Sequence, residues 1–324
     1  MTITQDTSAP LVVVVGATGI QGGSVINALS ESDKLYRIRG LTRDANKDAA
    51  KALTKRGVEM VAVNLNVENR EQAFKTFEGA TYAFVVTNFW EHMQMDREVA
   101  EGKMLVDAAA YAKVKLLVWS GLESMIKVSN GKYKHVYHFD GKAEVTEYAK
   151  AVGTPAVADV QAGWYMSNFA GESFGLVKKQ EDGSYAIITP ADPNSTVPLI
   201  DAARDYGLFV RKVIESPTHE PFTAVYAHSE VMTQSELAKQ FSEGTGKTIK
   251  FVQISEDRFK QGALALGMSE IIAAELNESF MSHSDKDVGY FGHNDLRPSK
   301  QGLARAPRTW AEFIKVTDWS KVLN

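Results

Sequence analysis

The stretch Leu11-Val12-Val13-Val14-Val15-Gly16-Ala17-Thr18-Gly19-Ile20-Gln21-Gly22-Gly23 decides the fold. Its first five residues form an unbroken apolar run, the pattern of a parallel strand buried on both faces. Gly16, Gly19 and Gly22 then turn the chain sharply into a helical pattern over residues 20–31. Without Cβ atoms the backbone of such a turn approaches a pyrophosphate closely, and the helix packs tightly on the sheet. The helix N-terminus offers free N–H groups and a partial positive charge to the phosphates. In this strand–turn–helix context the glycine triplet is a dinucleotide-binding signature.

Outward from this turn the chain keeps alternating between two hydrophobic periods. Residues 36–43, 58–63, 82–86 and 116–120 read as further strands. Helical patterns fill the gaps, up to about Lys55, over 70–77 and from about Met93 to Ala112, with Gly57 placed to close the first in the left-handed conformation. This β-α alternation predicts a doubly wound α/β fold, a parallel sheet with helices on both faces and ligands beyond its carboxyl edge. Asp140 reads as the N-cap of a helix to about Val152, ended by Gly153 and Pro155. We expect residues 1–163 to form the dinucleotide-binding domain, completed by parts of 195–230. Its returning segments would be 199–214 and 222–226. Residues 164–324 would form a smaller mixed α/β domain. There the pattern reads helix from Thr233, strand over 248–254, helices over 256–266 and 269–281, and a last helix with Thr309 and Glu312 at capping-box spacing. The long loop 282–306 has the composition of a lid or binding segment.

Composition excludes several classes. The 324 residues contain no Cys, so disulfides, thiolate nucleophiles, iron–sulfur clusters and Cys-bound zinc are out. A net charge of −4 offers no basic footprint for direct nucleic-acid binding. No apolar run reaches the roughly 20 residues that span a bilayer, and the polar start MTITQDTSAP does not read as a signal peptide. The expectation is a cytoplasmic protein, or a nuclear one if it is a regulator. Neither a serine-hydrolase elbow nor a Walker pattern occurs. His135 and His138 share a helical face, but no third ligand type completes a metal site, so none is expected.

The second strand selects the cofactor. It ends in Leu41-Thr42-Arg43 with Lys47 four residues on. A guanidinium and an ammonium there suit a 2′-phosphate, which favours NADP(H) over NAD(H). Asp44 is the residue that would serve a ribose hydroxyl instead.

The glycine turn, LTRDANK (41–47), VEMVAVNLN (58–66), AFVVTNFW (83–90), HFDGKAEV (138–145), GWYMSNF (163–169) and the terminal TWAEFI…DW together resemble the NmrA-like family of atypical short-chain dehydrogenase/reductases. The resemblance implies a Rossmann-type core with a smaller domain roofing the cofactor cleft. It implies that Gly16, Thr18, Gly19, Ile20, Gln21 and Gly22 hold the pyrophosphate, and that Arg43 and Lys47 hold the 2′-phosphate. Asn64 and Leu65 would border the adenine; the family usually has Asp at the position of Asn64. Thr87, Asn88 and Phe89 would pass along the ribose and nicotinamide, with Lys142 at the nicotinamide ribose. Trp90, Trp164, Tyr165, Asn168 and Phe169 would wall the substrate pocket.

Many short-chain dehydrogenases use a Tyr four residues before a Lys, so that the phenol exchanges a proton while the cofactor exchanges hydride. Here position 138 is His and Tyr137 lies five before Lys142. Lys142, read as sitting in a first helical turn against the macrodipole, is the candidate proton donor, with Ser120 or Tyr137 assisting and His138 as a further donor. The sequence thus reads as an NADPH-dependent reductase of a small, largely apolar carbonyl or conjugated substrate. The alternative is a non-catalytic NADP(H) redox sensor acting through a regulatory protein partner.

Overall fold

The computed structural model describes residues 3–171, 175–292 and 301–324. The loop expected over 282–306 falls partly on 293–300, outside the described residues. The chain runs β1 (Leu11–Val14), α1 (Ile20–Ser30), β2 (Arg37–Thr42), α2 (Asp48–Lys55), β3 (Glu59–Ala62), α3 (Arg70–Phe77), β4 (Tyr82–Val85), α4 (Met95–Tyr111), β5 (Leu116–Trp119), α5 (Met125–Val128), α6 (Tyr137–Val152) and β6 (Ala156–Ala162). It continues through β7 (Trp164–Tyr165), β8 (Val177–Lys179), β9 (Tyr185–Thr189), β10 (Thr196–Ile200), α7 (Ala202–Ile214), β11 (Phe222–Ala227), β12 (Glu230–Thr233) and α8 (Gln234–Thr245). The last elements are β13 (Ile249–Gln253), α9 (Glu256–Ala265), α10 (Glu270–Ser284) and α11 (Trp310–Val316).

Seven strands form one parallel sheet in the order β11-β6-β5-β4-β1-β2-β3. The chain reverses direction between β1 and β4, so the carboxyl-edge crevice opens beside the glycine turn. Every residue of β1 is buried, and its side chains alternate between two cores. Val12 and Val14 pack with α1 and α7, whereas Val13 and Val15 pack with α4 and α6. That alternation explains why the run had to be apolar throughout.

Both apolar segments expected to return to the sheet do so. β11 pairs with β6 in parallel, and α7 lies directly on α1, where Gly207 makes the crossing possible. A Cβ at Gly207 would stand 2.0 Å from the Ser24 carbonyl oxygen, and its N–H donates to Ser24 Oγ at 2.9 Å. Gly57 and Gly153 take left-handed conformations (φ 93° and 74°) as read from sequence, and the Thr309/Glu312 capping box is formed. The remaining strands make two small sheets, β12-β10-β7 and β13-β9-β8, around a third core with α8 and α11. A fourth cluster joins α5 and the start of α6 to Val288, Tyr290 and Phe291.

One sequence expectation needs correction. Asp140 does not cap α6; the helix begins at Tyr137, so Asp140 lies within its first turn and Lys142 beyond that turn. The N-terminal N–H groups are met instead by carboxylates from α10. Glu278 Oε2 accepts from Lys134 N and His135 N, and Glu275 Oε2 accepts from Tyr137 N, at 2.5–2.8 Å. Asp140 turns outward to α5, accepting from Ser124 Oγ at 2.7 Å and Ile126 N at 3.1 Å.

Candidate functional site

A cleft of about 990 Å³ runs along the carboxyl edge of the sheet. Its floor is the glycine turn. Gly16 has φ +64°, and a Cβ on Gly22 would lie 2.2 Å from the Gly16 carbonyl oxygen. Gly19 occupies the N-cap of α1 without a side-chain cap, and the first turn carries no acidic residue. The donors of that turn are therefore left for an external anion. Ile20 is 48% exposed at the cleft surface, an apolar side chain open to cover by a ligand. Gln21 bridges to the far wall, its Nε2 donating to the Tyr165 hydroxyl at 2.7 Å. Burial pushes that phenol up to about 12.

At one end of the cleft stand Arg43, Asp44, Lys47, Asn64 and Leu65. Asp44 is turned into its own loop, where Oδ1 accepts from Asn46 N at 2.8 Å. Arg43 crosses the mouth to Glu91 at 2.5 Å, with 67% of its side chain exposed. Lys47 is exposed at the N-cap position of α2. Asn64 is exposed too, and its carbonyl accepts from Asn69 Nδ2 at 3.2 Å.

The other end is built from buried charges. Lys142 Nζ forms an ion pair with Glu98 of α4, whose side chain is fully buried. It also donates to Thr87 Oγ1 at 3.0 Å and Thr87 O at 3.3 Å, while Thr87 Oγ1 donates to Glu98 at 2.7 Å. An ammonium has three N–H donors, and each of Lys142's has an acceptor. Lys142, expected from sequence as a proton donor in a first helical turn, is held by Glu98 and Thr87. Glu98 escaped the sequence reading because an acidic residue near the start of a helix is ordinary; only the contact with α6 distinguishes it.

Ser120 directly follows β5, buried at the cleft wall with its hydroxyl against Tyr206. Asn88, Phe89 and Trp90 line the same region. His138 joins them, its ring packed on Trp90 and Phe139 and its Nδ1 bonded to Glu275. Trp164, Tyr165 and Asn168 form the opposite side, with Phe280 of α10 against Trp164. Trp164 Nε1 is buried with no hydrogen-bond partner, a donor suited to a ligand oxygen.

Two expected residues lie elsewhere. Phe169 is behind the wall, packed on Trp310 in the core of the small sheets. Tyr137 is outside the cleft lining, with its ring on His135. Its phenol is raised by burial and by the charges of Glu275 and Glu278. The cause is helix register: one residue from His138 on a helix is a rotation of about 100°.

Behind Ser120 and Gly121 lies Asp159, fully buried on β6, accepting from Gln161 Nε2 at 3.1 Å and Thr146 Oγ1 at 3.3 Å. Burial pushes its carboxyl up to about 7, above the usual range.

The doubly wound sheet and the glycine turn at its switch point define a Rossmann-type α/β protein. The chain belongs to the NmrA-like family, whose sequence profile matches residues 8–314. It is 31% identical to the NmrA-like family domain-containing oxidoreductase cpsB of Aspergillus campestris, over 79% of each chain. In structure it is similar to NmrA, a negative transcriptional regulator solved with NAD (TM-score 0.78, 20% identity, 95% of each chain). It is also similar to the NADPH-dependent quinone oxidoreductase QOR2 of Escherichia coli, solved with NADPH (TM-score 0.71, 20% identity, 94% of this chain and 98% of that one). No helix among the described residues is long and apolar enough to cross a membrane.

Proposed function

We propose that the protein is an NADPH-dependent reductase of a small, largely apolar carbonyl or conjugated compound. The observation that carries this reading is the single cleft joining the uncapped glycine turn to a wall of aromatic side chains. The turn holds the pyrophosphate at the N-terminus of α1. Arg43 and Lys47 take the 2′-phosphate, and the engagement of Asp44 within its own turn leaves the basic pair to dominate that end. Asn64 and Leu65 border the adenine. Thr87, Asn88 and Phe89 follow the chain of the cofactor toward the far end, where Lys142 stands at the nicotinamide ribose.

When bound, NADPH supplies hydride. The protein's own part is to place an apolar substrate between Trp90, Trp164, Tyr165 and Asn168, and to provide polar hydrogen for its oxygen. Ser120 stands at the sheet edge to orient that oxygen. The curated relative named above is an oxidoreductase, which accords with turnover.

The test is NADPH consumption by the purified protein against a panel of aldehydes, ketones, enones and quinones. Oxidation of NADPH with at least one compound is expected, and Lys142→Met should lower it sharply. Tight cofactor binding with no consumption by any compound would overturn the reductase reading in favour of a sensor that acts through a protein partner.

A further inference from the structure

We propose that His138, held by the buried carboxylate of Glu275, is the proton donor to the substrate oxygen. This assignment rests on the reductase reading above and names a catalytic group within it.

His138 and Lys142 are four residues apart on α6, so they share one helix face, and both line the cleft. They are electrostatically alike in one respect: each is paired with a fully buried glutamate from another helix, Lys142 with Glu98 and His138 with Glu275. They differ in what remains free. Lys142 has an acceptor on every N–H. His138 uses Nδ1 for Glu275, so Nε2 is the nitrogen left to meet a ligand. Glu275 is fixed in turn, because its second oxygen accepts from Tyr137 N at 2.5 Å. The imidazole is wedged among Phe89, Trp90 and Phe139, with ring centroids 6.0, 5.1 and 4.7 Å away. A carboxylate behind one ring nitrogen and an open second nitrogen is the arrangement by which imidazole serves as general acid or base.

The charged and titratable groups around the ring come from few elements. α10 supplies Glu275 and His283, and α6 supplies Asp140 and Lys142. The 89–90 turn supplies only aromatic rings, and the segment after α10 supplies Tyr290, packed on His283. Glu275 is the one bonded to the imidazole.

Bound NADPH would supply the hydride that forms the new C–H bond at the carbonyl carbon, and would become NADP+. The C=O π pair moves to oxygen and takes the proton from Nε2 of the His138 imidazolium, giving the alcohol. The neutral imidazole regains a proton from water. In the reverse direction the same nitrogen accepts the hydroxyl proton.

The test combines turnover, binding and nitrogen-15 spectra. His138→Gln is expected to lower kcat by about 100-fold or more while NADPH binding, measured by fluorescence titration, is unchanged. The kcat–pH profile should lose one ionisation in that variant. Glu275→Gln should lower kcat with little effect on KM. In wild-type spectra the His138 Nδ1 should carry the proton that Glu275 accepts, and Glu275→Gln should shift that resonance. A wild type that reduces a carbonyl compound, with His138→Gln keeping its kcat, overturns this assignment alone; so does a His138 Nδ1 without that proton. A wild type that consumes NADPH with no compound overturns both this assignment and the reading beneath it.

Discussion

The two ends of the cleft are built on different principles. The glycine-turn part is made by one contiguous stretch and by backbone geometry: a left-handed Gly16, a Gly22 with no space for a Cβ, and an uncapped helix start. The end around Lys142 and His138 is made by side-chain charges from distant parts of the chain. Lys142 meets Glu98 across 44 residues, and His138 meets Glu275 across 137. The first end tolerates no bulk, and the second tolerates no loss of a charge partner.

That contrast can be broken by substitution. The largest effect is expected from Glu98→Ala, which leaves the Lys142 ammonium buried without its carboxylate. Removing one partner of a buried pair costs about 3–5 kcal/mol, read as a lowered denaturation midpoint; an unchanged midpoint would show that the pair is not buried in solution. Gly22→Ala should cost less, about 1–3 kcal/mol of overpacking, but should weaken dinucleotide binding more than stability, because the strain falls on the turn itself. Undiminished binding would mean that the turn does not contact the cofactor.

A pH scan probes the wall behind Ser120 through Asp159. Its folded carboxyl titrates at about 7, whereas an unfolded Asp titrates at about 3.9. Between these values the folded state binds more protons than the unfolded one, so stability should fall as pH rises from about 4 to about 7. Asp159→Asn should flatten that slope in thermal melts. The smallest effect is expected from Glu91→Gln, which releases Arg43 from an exposed ion pair. Such pairs contribute about 0–1 kcal/mol, so NADPH affinity should rise by a few-fold at most, with NADH affinity unchanged.

The same contrast explains what could be read from sequence. The parallel sheet was legible because LVVVV and its successors carry their burial in their own pattern, and the glycine turn because Gly16, Gly19 and Gly22 are close together in the sequence. β6 was obscured by Asp159 and Gln161, two buried polar residues that pair with each other inside an otherwise apolar strand. Strands as short as β7 and β8 carry too few residues to show a period. Arg43, Lys47 and Lys142, singled out from position, lie on the cleft lining, whereas Glu98 and Glu275 were not singled out. Their pairing partners are fixed by how α4, α10 and α6 pack, and no local spacing encodes that. The register of α6 was misread for the same reason, since its cap comes from α10. With it went the placement of Tyr137.

The proposed preference for a nicotinamide dinucleotide carrying a 2′-phosphate is tested most directly by titration of NADPH and NADH against the wild type and Arg43→Ala. The wild type is expected to bind NADPH about tenfold or more tightly than NADH, equivalent to about 1.4 kcal/mol, and Arg43→Ala to bring the two close to parity. Equal affinities in the wild type, or a preference that survives Arg43→Ala, would contradict it.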